Sequence, residues 1–303
     1  MRTEKRFTPK LVKRYLRERR GTGTYESYVP WHRVSRSDPS SRGRSHLMIW
    51  RERQRELLSD GEWTGLNFST MLSNVVDLVE QFPLSLEDAI FELARWDIRV
   101  DDRLYPGTIS IARELGIKHP ILKELDEQVL WRPTTDLLLV MRTADGKLEL
   151  LAVSCKPGSI DDLSRRAREL LNLEKSYWAA RNVHWILITP KEFEKSVGLT
   201  LRRIAPWALG EPSTPDDMAV AVNMARSMYL HSETALLYQL SRKLTGGDVD
   251  LPRAQRALWQ AVWNGHLPID LRRGWRPHVP LKLISVEEFA ALNPIAARRS
   301  AWK

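Results

Sequence analysis

Two apolar runs near the middle of the chain each carry a charged residue that suits hydrolytic chemistry. Asp136 opens one run, and Lys156 follows the next run, Leu148–Cys155. The turn between them contains Asp145 and Gly146, so the runs are predicted to pair as a hairpin. Pairing can bring the aspartate and the lysine side by side. An acid and a lysine at neighbouring strand ends can form the core of a metal-dependent nuclease.

Phosphodiester hydrolysis is helped by a metal that polarises the phosphate and activates a water. Mg²⁺ prefers one or two carboxylates together with waters and the substrate phosphate. A lysine beside the metal can orient the water or stabilise developing charge. Taken singly, Asp136 also fits a carboxylate at a strand start, and Lys156 an exposed lysine at a strand end.

Two glutamates lie within apolar helical patterns. Glu62 is four residues from both Leu58 and Leu66, and Glu174 interrupts the apolar stripe of a helix predicted over 160–181. A carboxylate on an inward face is costly unless it is paired or bound to a metal. The alternatives are a Glu62 head group in water, and a Glu174 bonded to a tryptophan or an arginine.

The elements that must position these residues follow from periodicity. Helices are predicted over 9–20, 54–72, 85–97 and 108–115. Strands are predicted from 75 to near 81–83 and over 136–141, 148–155 and 185–189. Further helices are predicted over 216–230, 232–244 and 251–264. The order indicates an α/β fold with a mixed sheet flanked by helices. The region 191–215 reads as variable. A strand pair over 265–284, after three helices, indicates a winged-helix-like C-terminal domain.

Composition limits the function classes. The chain of 303 residues has a formal charge of +9, and residues 1–50 alone hold 13 Lys and Arg against 4 Asp and Glu. A basic segment on a neutral body favours a polyanionic partner, although a solubilising tail is the alternative. One cysteine, Cys155, excludes an intrachain disulfide and fits the cytoplasm. No apolar run is long enough to predict a membrane span.

Several short motifs, which occur in order along residues 20–190, resemble those of the TnsA endonuclease family. Members of this family are subunits of heteromeric cut-and-paste transposases. The motifs are Tyr28-Val29-Pro30-Trp31, Gly43-Arg44-Ser45-His46, Leu57-Leu58-Ser59-Asp60-Gly61-Glu62, Glu80-Gln81-Phe82-Pro83-Leu84, Gly116-Ile117-Lys118-His119-Pro120, Thr135-Asp136, Cys155-Lys156-Pro157 and Leu173-Glu174-Lys175-Ser176-Tyr177-Trp178.

The resemblance implies a restriction-endonuclease-like catalytic domain over 51–190. The basic segment 1–50 would contact DNA, and 191–303 would be the winged-helix-like interaction domain. The implied activity is Mg²⁺-dependent cleavage of the 5′ ends of a transposon, with Mn²⁺ as a substitute. The implied partners are transposon-end DNA, a TnsB-type recombinase and a TnsC-type ATPase, in a bacterial cytoplasm and without a membrane.

The family's acid-acid-lysine set falls on Glu62, Asp136 and Lys156, and the carbonyl of Cys155 stands where a backbone metal ligand is expected. Ser154 departs from the family pattern, because many nucleases of this fold carry an acid or amide there. The supporting candidates are Ser154, Glu174 and Gln81. The DNA-binding candidates are Arg42, Arg44, His46, Lys118 and His119.

Two other functions fit the same residues. One is a stand-alone nuclease of this fold, such as a restriction or junction-resolving enzyme. The other is a non-catalytic adaptor within a transposase, which the departure at Ser154 favours and the presence of Glu62, Asp136 and Lys156 opposes.

Overall fold

The computed structural model describes residues 7–35, 38 and 44–302. These residues divide into two compact units. The first consists of the described part of Met1–Gly65, of Asn74–Thr189, and of the end of the chain from Ser300; the second consists of Leu66–Ser73 and Pro190–Arg299.

The first unit is built on a four-stranded mixed sheet in the order β10-β9-β8-β3. Strands β8 and β9 form an antiparallel hairpin, β3 pairs antiparallel with β8, and β10 pairs parallel with β9. The strands of this unit are β1 (His46–Trp50), β2 (Arg53–Leu57), β3 (Val75–Pro83), β4 (Ala89–Ile90), β5 (Leu104–Tyr105), β6 (Ile121–Glu124), β7 (Glu127–Leu130), β8 (Thr134–Arg142), β9 (Leu148–Cys155) and β10 (His184–Ile188).

The helices of the first unit are α1 (Pro9–Arg17), α2 (Asp60–Thr70), α3 (Thr108–Glu114) and α4 (Arg165–Ala179). The central strands are apolar on both faces, because helix α4 and the loops of this unit add their own apolar side chains to the core. Tyr177 and Trp178 of α4 are fully buried in that core. This packing holds α4 close to the carboxyl end of β9, where Lys156 follows.

The second unit is mostly helical. It contains the end of α2 together with α5 (Lys195–Ala208), α6 (Pro215–Ser227), α7 (Glu233–Thr245), α8 (Leu251–Trp263) and α9 (Val286–Ala291). Its centre is α8, whose residues from Ala257 to Trp263 are all buried. Helix α8 contacts α5, α6 and α7.

Four sequence predictions of local structure are wrong. Residues 53–57 are strand β2 rather than helix, because Arg53 and Arg55 turn inward to bind Glu80. Residues 85–97 contain β4 and a single 3₁₀ turn, since Glu92 is drawn into the core by bonds from Tyr177 and Arg181.

The other two errors lie in the second unit. Helix α5 occupies part of the region 191–215, for which the sequence predicts no helix. Its Pro206 lies inside the helix, and having no amide hydrogen it cannot donate the usual hydrogen bond to the carbonyl four residues earlier. The strand pair over 265–284 is reduced to a single bridge between Ile269 and Leu283. The winged-helix character of this unit stays a prediction, as do the predicted domain limits.

Candidate active site

The β8–β9 hairpin brings Asp136 and Lys156 together. The backbone amide of Cys155 donates to Asp136 Oδ2 at 2.7 Å, and Lys156 Nζ lies 3.4 Å from the same oxygen. The amide of Lys156 donates to the carbonyl of Ile188, which fixes the lysine backbone at the end of the sheet. Asp136 raises the pKa of Lys156, so the lysine is held in its charged form.

Glu62 lies in the first turn of α2 and is only 6% exposed. Its Oε2 accepts from the amide of Leu58 at 2.8 Å and from Gln81 Nε2 at 3.0 Å, and its Oε1 accepts from Ser59 Oγ at 3.0 Å. Burial and, next, the charge of Asp136 raise the pKa of Glu62 to about 8. The two acids are therefore near enough to repel each other when both are charged.

Two glycines explain how α2 approaches the hairpin. A Cβ at Gly65 would lie 2.9 Å from Cys155 Sγ and 3.1 Å from Leu137 Cδ1, both closer than side chains normally pack. At Gly61 the nearest atom is Cys155 Cβ at 3.6 Å. Glycine at 65, which weakens a helix taken alone, lets the helix that carries Glu62 pack closely against the hairpin that carries Asp136.

Glu174 is held by hydroxyl groups rather than by a cation. Its Oε1 accepts from Ser154 Oγ at 2.6 Å and from Thr135 Oγ1 at 2.8 Å. These hydroxyls in turn accept from the indoles of Trp185, at 3.2 Å, and Trp178, at 2.7 Å. Burial, and then Asp136, raise the pKa of Glu174 to about 7. The Ser154 hydroxyl donates to Glu174 and accepts from Trp185, so it is fully engaged within the protein.

Cys155 contributes its backbone to the site. Its thiol is buried, and burial raises its pKa well above the ordinary value, so a nucleophilic role is disfavoured. The Cys155 carbonyl as a metal ligand stays a prediction.

The donor set fits a hard divalent cation. Among the residues that the structure describes, no group of three or more His, Cys, Asp and Glu side chains is arranged around a common metal position. Glu62 and Asp136 are instead a pair of carboxylates, and Mg²⁺ is commonly held by one or two carboxylates with water and phosphate oxygens. A cation between them would relieve the repulsion that raises the pKa of Glu62.

The DNA-binding candidates have different surroundings. Arg42 lies outside the described residues, and Arg44 is exposed. His46 Nε2 lies 2.6 Å from Asp60 Oδ1, and its ring packs against Trp63 at 4.3 Å between centroids. His46 is thereby tied to the first turn of α2, the turn that carries Glu62.

The remaining two candidates lie in the loop after α3. Lys118 is exposed. His119 Nδ1 donates to the carbonyl of Pro120 at 3.1 Å, so Nε2 accepts from Thr108 Oγ1 at 3.0 Å. Both ring nitrogens of His119 are therefore engaged within the protein, which gives this residue a structural role. DNA contact by any of these residues stays a prediction.

Sequence reasoning missed Ser59 and Thr135 as partners of the two glutamates. The signal for Ser59 was present, because Ser59-Asp60-Gly61-Glu62 has the serine-to-glutamate spacing of a capping box. The amide of Glu62 does donate to Ser59 Oγ at 3.1 Å. Thr135 carried no local signal, since its partner Glu174 is 39 positions away in the chain.

Comparison with known proteins gives a match over the region that contains most of the candidate site. Residues 73–190 match the family model described as TnsA-like endonuclease N terminal. That span contains Asp136, Lys156 and Glu174, whereas Glu62 precedes it. The chain is also 32% identical over 194 residues to the transposon Tn7 transposition protein TnsA of Escherichia coli, a match that covers 63% of this chain and 60% of that protein.

Helices in the described part of the chain include none long and apolar enough to cross a membrane. The mixed sheet flanked by helices agrees with the restriction-endonuclease-like architecture expected of the family. Residues 73–190 thus match a TnsA-like endonuclease domain, and the predicted resemblance to the TnsA endonuclease family is confirmed.

Proposed function

We propose that the protein is a Mg²⁺-dependent DNA endonuclease subunit of a transposase, which cleaves the 5′ ends of the transposon during cut-and-paste transposition. One observation supports the proposal: the amide of Cys155 and the Nζ of Lys156 both contact Oδ2 of Asp136, and buried Glu62 is close enough to Asp136 for their charges to interact. Mn²⁺ is expected to substitute for Mg²⁺.

Glu62 and Asp136 would hold the metal, with the Cys155 carbonyl as a further ligand. When bound, the metal would polarise the scissile phosphate and lower the pKa of a water. The amide of Cys155 keeps the Asp136 carboxylate in one orientation. Lys156, charged beside Asp136, would orient the attacking water or stabilise the negative charge that grows on the phosphate.

Partners follow from the family and from charge. Transposon-end DNA would be bound by the basic segment 1–50, and binding would weaken steeply with salt. A TnsB-type recombinase would cut and join the other strand. The C-terminal unit would contact a TnsC-type ATPase, DNA or both. A bacterial cytoplasm is the proposed compartment.

The test is Asp136→Ala in a reaction that contains the two partner proteins and a plasmid carrying the transposon ends. We expect loss of 5′-strand cleavage, with 3′-strand cutting and partner binding retained. Asp145→Asn is the matched control, because Asp145 is an exposed acid in the turn of the same hairpin.

Excision by double-strand breaks at the parental level in Asp136→Ala would overturn the nuclease assignment. Cleavage by the parental protein without the partners would identify a stand-alone nuclease instead. Inactivity of the parental protein in every combination would favour the adaptor.

A further inference from the structure

Gln81 has an unusual backbone conformation for a residue in the middle of a strand. It lies within β3 with a φ of +51° and is only 2% exposed. Its neighbours Glu80 and Phe82 pair with Leu137 and Thr135 of β8, which places Gln81 opposite Asp136. A non-glycine residue in the left-handed region is costly, and such residues persist only where the surroundings hold them.

Both the nitrogen and the oxygen of the Gln81 side-chain amide make hydrogen bonds. Its Nε2 donates to Glu62 Oε2 at 3.0 Å, and its Oε1 accepts from Thr134 Oγ1 at 3.4 Å. With the amide oxygen committed to Thr134, the NH₂ group must face Glu62. Gln81 thus links the strand opposite Asp136 to the second acid of the site.

The main chain of Gln81 is held by the segment Gly21–Trp31, here called the N-terminal strap. The amide of Trp31 donates to the carbonyl of Gln81 at 3.3 Å. The hydroxyl of Tyr28 reaches the carbonyls of Glu80, at 3.1 Å, and Gln81, at 3.4 Å. The side chains of Tyr28 and Trp31 are buried, so these bonds are shielded from water.

The strap is also anchored at its other end. Arg95 donates to the carbonyl of Gly21 at 2.8 Å, and the amide of Gly21 donates to Val29. Gly21 has a φ of +74°, and a Cβ there would lie 2.2 Å from Pro83 Cγ, at the end of β3. The strap therefore lies against β3 on both sides of Gln81.

We propose that Gln81 is a positioning residue for Glu62 and that the N-terminal strap holds it in place. The proposal rests on the proposed function, because it assigns Glu62 to the metal site. It makes the strap, which belongs to the basic segment, a structural part of the active site. Loss of the strap's hydrogen bonds is expected to weaken metal binding without any loss of a metal ligand.

The first test is Gln81→Gly compared with Gln81→Ala. Both substitutions remove the side-chain amide, but only glycine adopts the left-handed backbone conformation without strain. We expect both variants to bind Mn²⁺ about 10-fold more weakly, which is typical when a residue that orients a metal ligand is lost. Binding is measured by electron paramagnetic resonance of Mn²⁺ without DNA, and thermal unfolding should show the glycine variant at least as stable as the alanine variant.

Cleavage separates positioning from general damage. In Gln81→Gly we expect kcat to fall at fixed Mn²⁺ while KM for DNA stays unchanged, and excess Mn²⁺ to restore kcat. A variant with parental Mn²⁺ affinity and kcat would overturn the role of Gln81.

The second test addresses the strap through Tyr28→Phe, which removes one hydroxyl and keeps the ring. Tyr25→Phe is the control, since exposed Tyr25 contacts Asp77 through its backbone amide rather than its hydroxyl. We expect weaker Mn²⁺ binding in Tyr28→Phe and parental binding in Tyr25→Phe. Equal Mn²⁺ affinity in the two variants would overturn the strap's role.

Failure of the inference is distinguishable from failure of the proposed function. If the parental protein binds no Mn²⁺ and Asp136→Ala changes nothing, the proposed function fails and takes the inference with it. If the parental protein binds Mn²⁺ and loses it in Asp136→Ala but not in Gln81→Gly, only the inference fails.

Discussion

Glu62 in the first unit and Glu233 in the second are both buried glutamates, but the groups that bind them differ. Glu62 accepts from a backbone amide, a serine and a glutamine, all neutral. Glu233, 1% exposed, accepts from the guanidinium groups of Arg203 and Arg273. A carboxylate bound by two cations has its charge already balanced. A carboxylate hydrogen-bonded only to neutral donors has no bonded cation to balance its charge, so a cation that is not part of the chain can take that place.

The same contrast occurs between residues that are close in the first unit. Glu80 is fully buried and accepts hydrogen bonds from the two terminal guanidinium nitrogens of Arg53, at 2.6 and 2.7 Å. Its neighbour Gln81 donates to Glu62. Burial alone therefore does not mark a functional acid, and the charge of the donors is the more informative property.

The largest expected effect is on cleavage by Glu62→Gln. This substitution keeps the size of the side chain and removes the charge offered to the metal. We expect cleavage to fall on the order of 10³-fold, because the metal supplies several kcal/mol of transition-state stabilisation. Removing the buried acid should not lower the thermal stability of the metal-free protein at neutral pH, because the raised pKa of Glu62 works against folding there. Parental cleavage in this variant would remove Glu62 from the site.

Glu233→Gln is expected to show the opposite pattern. It leaves Arg203 and Arg273 without their shared carboxylate, and breaking a buried ion pair costs about 3 kcal/mol. Chemical denaturation of the second unit should show this loss, while Mn²⁺ affinity stays parental. Weaker Mn²⁺ binding with unchanged stability would contradict the contrast between the two acids.

Metal should stabilise the parental fold. At a Mn²⁺ concentration 100 times the dissociation constant, mass action gives about 2.7 kcal/mol. Asp136→Ala should lose this increment, whereas Glu233→Gln should keep it. The measurement is the unfolding midpoint with and without Mn²⁺, and an equal increment in Asp136→Ala would place the metal elsewhere.

The metal-free protein should lose stability as pH rises. The pKa of Glu62 is raised from 4.5 to about 8, so between those values the folded state binds more protons than the unfolded state. The free energy of unfolding is then expected to fall with pH by up to about 1.4 kcal/mol per pH unit from this group. Denaturation in a chelating buffer checks the slope, which Glu62→Gln should reduce.

Ser154→Ala should give the smallest effect. It removes one of two hydroxyl donors to Glu174 and leaves the indole N–H of Trp185 without its acceptor. We expect a loss of about 1 kcal/mol in unfolding free energy. Ser45→Ala, at an exposed serine of the first unit, is a control for serine removal, and an equal or larger loss there than at Ser154 would contradict the importance of the Glu174 network.

The hairpin, and the pairing of Asp136 with Lys156 that it produces, could be predicted from the sequence. Apolar runs around a polar turn predicted β8 and β9, and the structure pairs them with Asp136 beside Lys156. The pattern also placed Glu62 on an inward face. These features could be predicted because each depends on periodicity within a few residues.

Other features depend on partners far along the chain. The sequence predicts a helix across strand β2 because Arg53 and Arg55 have the polarity of surface residues, whereas in the structure they bind buried Glu80. The conformation of Gln81 depends on Trp31, 50 positions earlier, through a hydrogen bond between backbone atoms. Any residue type can make such a bond, so the sequence does not reveal it. Local patterns contain no record of such contacts.

The close packing of α2 against Cys155 makes the thiol a reporter of movement at the active site. Cys155 is the only cysteine in the chain, and its side chain is covered where Gly61 and Gly65 face it. An alkylating reagent is expected to reach that sulfur when the helix separates from the hairpin. The rate of labelling, followed by mass spectrometry, therefore measures how often the acids of the site move apart, without any engineered probe.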